Sequence, residues 1–264
     1  MIRESMTVAA NSTFTRITVE LPPPVARVTL HNPPLNVIDV TMMDELRAAL
    51  EPIETRPEIS AIIFAGSERA FSSGVDIEAH TPDKVRDMLA AFHSVIRSVV
   101  DSQKVTIACV RRHCLGGGAE LAMMCDVVYA SPDSVWGFPE IKLACYPPVA
   151  SVALSAIVGQ KLAAELVLTG RTLSGQEALQ AGLVNALADD PETLVAECVQ
   201  RLSQLSPAAI AIAKKAFYAW DAIHFDKGLA RAEQIYHDEL MQTADAQEGI
   251  KAFIERRRPK WTGQ

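Results

Sequence analysis

Ile107-Ala-Cys-Val-Arg-Arg-His-Cys-Leu-Gly116-Gly-Gly-Ala-Glu120-Leu-Ala-Met-Met-Cys-Asp126 is the stretch on which the fold turns. An apolar strand, expected over residues 104–110, runs into three glycines and straight into a helix beginning near Gly117. A further strand is expected at 126–130. Glycine tolerates dihedrals that other residues avoid, and it lets backbone approach a neighbour closely. The first N–H groups of a helix have no internal partner and carry the positive end of its dipole. That arrangement can hold a developing oxyanion. It can equally be a tight strand-to-helix packing turn.

Outward from this segment the pattern repeats. Strands are expected at 15–20 and 26–31, around the rigid Pro22-Pro23-Pro24 turn. A helix is expected at 41–54, with Thr41 as N-cap and Leu46, Leu50 and Ile53 on one face. A buried strand follows at 60–65, and a long amphipathic helix at 82–102. Strands alternating with helices predict a mostly parallel sheet. Beyond Pro147-Pro148 the pattern changes. Ser174-Gly-Gln-Glu177 is a capping box. Helical segments are expected at 191–205, 206–220, 229–243 and 245–257, so the last third is all helix. There is no internal repeat.

Composition narrows the possibilities. The chain has 264 residues, with 49% apolar and 22% charged. That is ordinary for a globular protein. No apolar run reaches the roughly 18 residues of a membrane span. Residues 1–20 lack the apolar stretch of a secretory signal and are expected to be a short disordered lead into a strand. The default location is the cytoplasm. Five cysteines, Cys109, Cys114, Cys125, Cys145 and Cys198, are scattered without a C-x-x-C. They predict neither a disulfide framework nor a metal site. His113 neighbours Cys114, but adjacent strand residues face opposite ways, so a paired nucleophile is not expected. A net charge of −7 argues against a nucleic-acid or anionic-membrane binder.

Two other segments carry chemistry. In Phe71-Ser-Ser-Gly74-Val75-Asp76-Ile77 the Val75 N–H is a second candidate donor, though Gly-Val-Asp is also a common turn. In Trp136-Gly-Phe-Pro139-Glu140-Ile-Lys-Leu a proline fixes the backbone before an acidic residue in an apolar setting. A carboxylate buried there must be hydrogen-bonded or carry a raised pKa. A helix-capping or surface glutamate is the plainer alternative.

Together and in order, these three segments resemble the crotonase superfamily, the enoyl-CoA hydratase/isomerase family. The resemblance extends from Asn32-Pro-Pro-Leu-Asn36 through Leu168-Thr-Gly170, Ala178-x-x-Ala181-Gly-Leu-Val184 and Lys214-Lys215 to Gly249-Ile-Lys-Ala-Phe-Ile-Glu-Arg-Arg-Arg-Pro. It implies an α/β fold with a crotonase-like ββα spiral core, here residues 12–200, and a C-terminal helical trimerisation region, 201–264. It implies that the Val75 and Gly117 amides grip a thioester carbonyl. Glu120 would direct water to Cβ and Glu140 would protonate Cα. Ser73, Gly74, Asp76, Ile77, Gly116, Pro139, Tyr146 and Pro148 would contact the acyl-CoA thioester. No cofactor is implied beyond the coenzyme A of the substrate itself, and no metal. The family assembles as trimers or dimers of trimers.

This sequence also departs from the family. Arg112 stands where glycine is usual, which leaves open a solvated turn, an anion contact or a subunit contact. Glu78 replaces a common lysine. After Glu140, many fatty-acyl hydratases read Pro-Gly-Ala-Gly-Gly-Thr, whereas this chain reads Tyr146-Pro-Pro-Val-Ala-Ser151. That run is similar to dienoyl-CoA hydratases acting on a cyclohexadiene-carbonyl thioester. A short linear enoyl-CoA is the next candidate, and Δ3,Δ2-enoyl-CoA isomerisation or another acyl-CoA lyase or hydrolase reaction is the alternative chemistry. The basic end, Arg256-Arg-Arg-Pro-Lys260, and Lys251 are candidates for the nucleotide phosphates.

Overall fold

A computed structural model describes residues 14–218 and 221–263. The expected disordered lead (beyond its last residues), the start of the expected core at residue 12, and the end of the expected 206–220 helix lie outside the described residues.

The strands are β1 (Ile17–Glu20), β2 (Val25–Leu30), β3 (Ala61–Ala65), β4 (Ala70–Ser72), β5 (Val105–Val110), β6 (His113–Leu115), β7 (Val127–Ala130), β8 (Val135–Gly137), β9 (Thr172–Ser174) and β10 (Ala186–Leu187). The α-helices are α1 (Val40–Glu54), α2 (Val85–Val100), α3 (Gly117–Met123), α4 (Pro148–Val158), α5 (Gln160–Thr169), α6 (Gly175–Gln180), α7 (Pro191–Leu202), α8 (Pro207–Tyr218), α9 (Asp221–Asp238) and α10 (Ala244–Ile254). Short 3-10 helices cover Ile77–His80, Pro139–Leu143 and Leu240–Gln242.

Two sheets form. The larger has the order β1-β2-β3-β5-β7-β10, the smaller β4-β6-β8-β9. All pairings are parallel except β1 with β2 and β8 with β9. Three strands of the large sheet pass directly to one in the small sheet: β3 to β4, β5 to β6, β7 to β8. A helical segment then returns the chain. These are turns of a ββα spiral, and the second sheet is the part that strand periodicity alone did not separate.

Why β3 and β5 are continuously apolar is visible in their surroundings. Ile62, Phe64, Ala108 and Val110 face the main core, while Ala61, Ile63, Ala65, Ile107 and Cys109 face a second cluster closed by Val195 and Cys198 of α7. A parallel strand covered on both faces has no polar side to show. In β6, His113 is exposed and Cys114 buried, as alternation requires. All five cysteines are free and buried.

Boundaries shift in physical ways. The cap of α1 is Asp39, not Thr41: the Asp39 carboxylate accepts from the Met42 N–H at 2.8 Å. The expected helix over 229–243 begins earlier, as α9, and ends in a 3-10 turn. Ser174 and Glu177 form the reciprocal capping box of α6.

Candidate active site

The site is built where two chain corners back onto each other. At the first, β4 ends and the chain is pinned by Asn36. This buried amide donates to the carbonyls of Ala70 (2.9 Å) and Phe71 (3.2 Å). Ser73 N–H donates to Leu35 O, Ile38 N–H to Gly74 O, and Asp76 N–H to Ile38 O. This one-residue parallel bridge uses the groups on either side of Val75 and leaves the Val75 N–H out of the ladder. Gly74 has φ of 109°, in the region that favours glycine. The Asp76 carboxylate caps the following 3-10 turn by accepting from Glu78 N–H at 3.1 Å.

At the second corner, β6 runs into Gly116, whose N–H donates to Gly137 O at 2.9 Å. Gly117 then opens α3 with no intrahelical partner for its N–H. A Cβ on Gly74 would stand 3.5 Å from Gly117 N, which shows how closely the corners approach. A Cβ on Gly117 would stand 2.6 Å from Val75 Cγ2. The Val75 and Gly117 corners are therefore in close contact.

Two carboxyl groups complete the site. Glu120, one turn into α3, is buried, and its Oε1 accepts from Ala150 N–H at 2.9 Å. The Val149 N–H supports the same carboxylate. The sequence explains this contact. Pro147 and Pro148 open α4 without N–H groups, so the first free amides of that helix are those of Val149 and Ala150. Glu120 thus satisfies a helix start that lacks a capping side chain. Glu140 sits in the Pro139–Leu143 turn, and its Oε2 is sealed from solvent without a hydrogen-bond partner among the described residues. A Cβ on Gly116 would meet Glu140 Oε1 at 2.7 Å.

Burial pushes both carboxyls up. Glu120 rises to about 7, held back by the two amides. Glu140 rises to about 8, from burial first and then from the Glu120 charge. The physical difference is the donor set. Two amides of α4 favour the ionised form of Glu120, whereas Glu140 has only the N–H of its own residue and faces the Glu120 charge.

One cavity of about 560 Å³ gathers these groups. Its walls include Glu120, Glu140, Val75, Gly117, Ser73, Gly74, Asp76, Ile77, Gly116, Pro139, Tyr146 and Pro148, so the structure brings together the positions expected to act on or contact the acyl thioester, but not Lys251 or the basic end. Other parts of the wall escaped sequence reading, among them Leu89 and Phe92 of α2, Tyr236 of α9, and Ile250 and Phe253 of α10. Their only local signal is that of an apolar helix face, which every core helix shares. Burial pushes the His80 imidazole below its usual range, and its Nδ1 lies 2.9 Å from Asp76 O. Tyr146 turns its hydroxyl outward to donate to Ala232 O, so its ring rather than its polar end meets the cavity.

The charged departures find partners within the chain. Arg112 pairs with Asp133 at 3.1 Å, and Arg111 with Asp190 and Glu68. Arg257 is engaged by Glu248 and Glu255, while Lys251 lines a groove beside Thr81 and Pro82. Glu78 is exposed. Among the described residues no cluster of three or more His, Cys, Asp and Glu could hold a metal ion, and no helix is long and apolar enough to cross a membrane.

Known proteins share this plan. Cyclohexa-1,5-dienecarbonyl-CoA hydratase of Thauera aromatica is 34% identical over 236 residues, covering 89% of this chain and 92% of the relative. A probable enoyl-CoA hydratase of Mycobacterium tuberculosis is 36% identical over 255 residues, covering 95% and 99%. The crystal structure of an enoyl-CoA hydratase from Mycobacterium avium subsp. paratuberculosis superposes with a TM-score of 0.84 at 29% identity, covering 94% of this chain and 99% of that one. The family model described as enoyl-CoA hydratase/isomerase matches residues 20–264. By its ββα spiral, its relatives and this match, the chain belongs to the enoyl-CoA hydratase/isomerase family of the crotonase superfamily.

Proposed function

We propose that the protein adds water across the conjugated C=C of an enoyl-CoA thioester. The observation that carries this reading is the pair Glu120 and Glu140, two carboxyls with raised pKa values in one cavity beside two unladdered amides. The Val75 and Gly117 N–H groups would hold the thioester oxygen. Their bonds strengthen as that oxygen gains charge in the enolate, and one such donor is worth roughly 3–4 kcal/mol of barrier. Glu120, whose ionised form has two amide donors, takes a proton from water as its oxygen bonds to Cβ. Glu140, the more easily protonated of the two, gives its proton to Cα. The cycle leaves Glu120 protonated and Glu140 ionised, and one proton passing between them through the site restores the start. The reaction balances with water alone.

The acyl group is proposed to be a cyclic dienoyl one. Support comes from the Tyr146-Pro147-Pro148 segment, which replaces small residues with rings in the cavity wall, and from the relative named for a cyclohexadiene-carbonyl thioester. A short linear enoyl-CoA is the second candidate. One observation favours the alternative chemistry, Δ3,Δ2 isomerisation: only Glu140 has a carboxyl oxygen free of partners, and isomerisation can run on one carboxyl.

Incubation with cyclic dienoyl- and linear enoyl-CoA thioesters, followed by mass, tests both. A gain of water is expected. Exchange of an α-proton without that gain would establish isomerisation instead. Glu120→Gln and Glu140→Gln should each lower turnover by ~10²–10⁴-fold while thioester binding persists. Full activity in either would sink the two-carboxyl mechanism.

Assembly with further copies of the chain, as a trimer or a dimer of trimers, is part of the same proposal. Leu168, Ile212 and Phe217 support it, being 69%, 70% and 74% exposed. Exposed apolar side chains mark a surface that another protein covers when they form one patch, and Ile212 and Phe217 share helix α8.

A further inference from the structure

Helix α10 meets the Glu140 turn through a glycine. A Cβ on Gly249 would stand 2.1 Å from Leu143 O, 2.6 Å from its carbonyl carbon and 3.2 Å from its Cα. All three are backbone atoms, so no rotamer change relieves the contact. Leu143 closes the Pro139–Leu143 turn whose second residue is Glu140. That turn is stiff: Cys145 N–H donates to Glu140 O and Ala144 N–H to Ile141 O, both at 3.1 Å, with Ala144 left-handed at φ 53°. Displacing Leu143 therefore displaces Glu140. The residue after Gly249, Ile250, lines the cavity together with Phe253 one turn on.

The helix has its own brace. The Asp245 carboxylate accepts from Thr262 N–H, Thr262 Oγ1–H and Gly263 N–H, and Glu248 accepts from Lys260 N–H. The chain end is folded back along α10.

We propose that Gly249 is a positioning residue for Glu140. Its missing side chain lets α10 seat on the Leu143 carbonyl, and this contact fixes the depth of the Glu140 carboxyl and closes the wall formed by Ile250 and Phe253. Any side chain at 249 separates helix from turn and admits water to Glu140. Glu140 then ionises more readily and no longer serves as a proton donor. The kinetic consequence rests on the hydratase reading, whereas the contact itself does not.

A stability cycle separates the two. In the full-length protein, urea unfolding at pH 9 compares wild type with Glu140→Gln, and Gly249→Ala with the Gly249→Ala/Glu140→Gln double variant. Burial makes an ionised Glu140 costly, so Glu140→Gln is expected to raise the wild-type urea midpoint at pH 9. In the Gly249→Ala background that gain is expected to shrink by half or more. An unchanged gain overturns the proposal. Gly175→Ala is the control for a purely structural glycine, since its Cβ would meet Ser134 Oγ and the carbonyls of Pro132 and Ser131, none of which belongs to the Pro139–Leu143 turn. It should lower the midpoint and leave the Glu140→Gln gain intact; loss of the gain there too would count against a specific role. If Gly249→Ala does not fold, Phe253→Ala opens the same wall by removing volume, and the same halving is expected. With crotonyl-CoA, Gly249→Ala should lose kcat tenfold or more with a smaller change in KM, and its alkaline limb should move to lower pH. No turnover by the wild type on any thioester would count against the hydratase reading, and the stability cycle would still decide the role of Gly249.

Discussion

Arg112 occupies the corner between β5 and β6 with φ of 54°. The family's usual glycine at this position is thereby explained: the chain must turn left-handed to leave one sheet for the other. A side chain there costs about 1–2 kcal/mol, and the Asp133 pair returns little because both partners are more than half exposed. Arg112→Gly is expected to stabilise the protein by up to about 1 kcal/mol, measured by urea unfolding. Glu140 illustrates the opposite trade. Its value rises from 4.5 to about 8 on folding, so the native state binds more protons than the unfolded one. Stability from this group is therefore present below about pH 4.5 and lost as pH rises through about 8. Glu140→Gln should be near neutral at pH 4 and stabilising by roughly 1–3 kcal/mol at pH 9. In the wild type, the proposed hydration needs Glu120 ionised and Glu140 protonated. kcat/KM should follow a bell with limbs near 7 and 8. A flat profile across that range would contradict the assigned roles.

At the scale of elements, function depends on helix starts. The start of α3 offers the Gly117 amide, and that of α4 supplies two amides to Glu120 because two prolines precede them. Three glycines in sequence were legible as a close approach, but what they approach was not. Gly116 makes room for Glu140, and Gly117 makes room for Val75 and Phe92. Gly117→Ala places a Cβ 2.6 Å from Val75 Cγ2 and 3.1 Å from the Phe92 ring, forcing the two corners apart. The expected loss in kcat/KM is ~10²–10³-fold, with a stability loss of roughly 1–3 kcal/mol. Activity within threefold of wild type would show that the two amides need not be adjacent.

For the molecule as a whole, the ββα spiral places every chemical corner at one end of the small sheet, and the C-terminal helices supply the far wall. Another helix of that region, α8, carries exposed Ile212 and Phe217. If further copies cover them, the Ile212→Asp/Phe217→Asp variant should run as a smaller species than wild type in light scattering. A wild type already monomeric at micromolar concentration would end that proposal.

The sequence by itself determined the buried strands, the glycine corner, the capping box and the two glutamates. Each rests on local spacing, and spacing is a property of the chain. Only the tertiary structure decided that Leu89, Phe92, Tyr236, Ile250 and Phe253 share a cavity with Glu120 and Glu140. Apolar periodicity tells which face of a helix is buried, and is silent on what that face meets. The same holds for the carboxyls. A glutamate in an apolar run signals cost, but its proton affinity is set by which amides and charges the fold brings within reach.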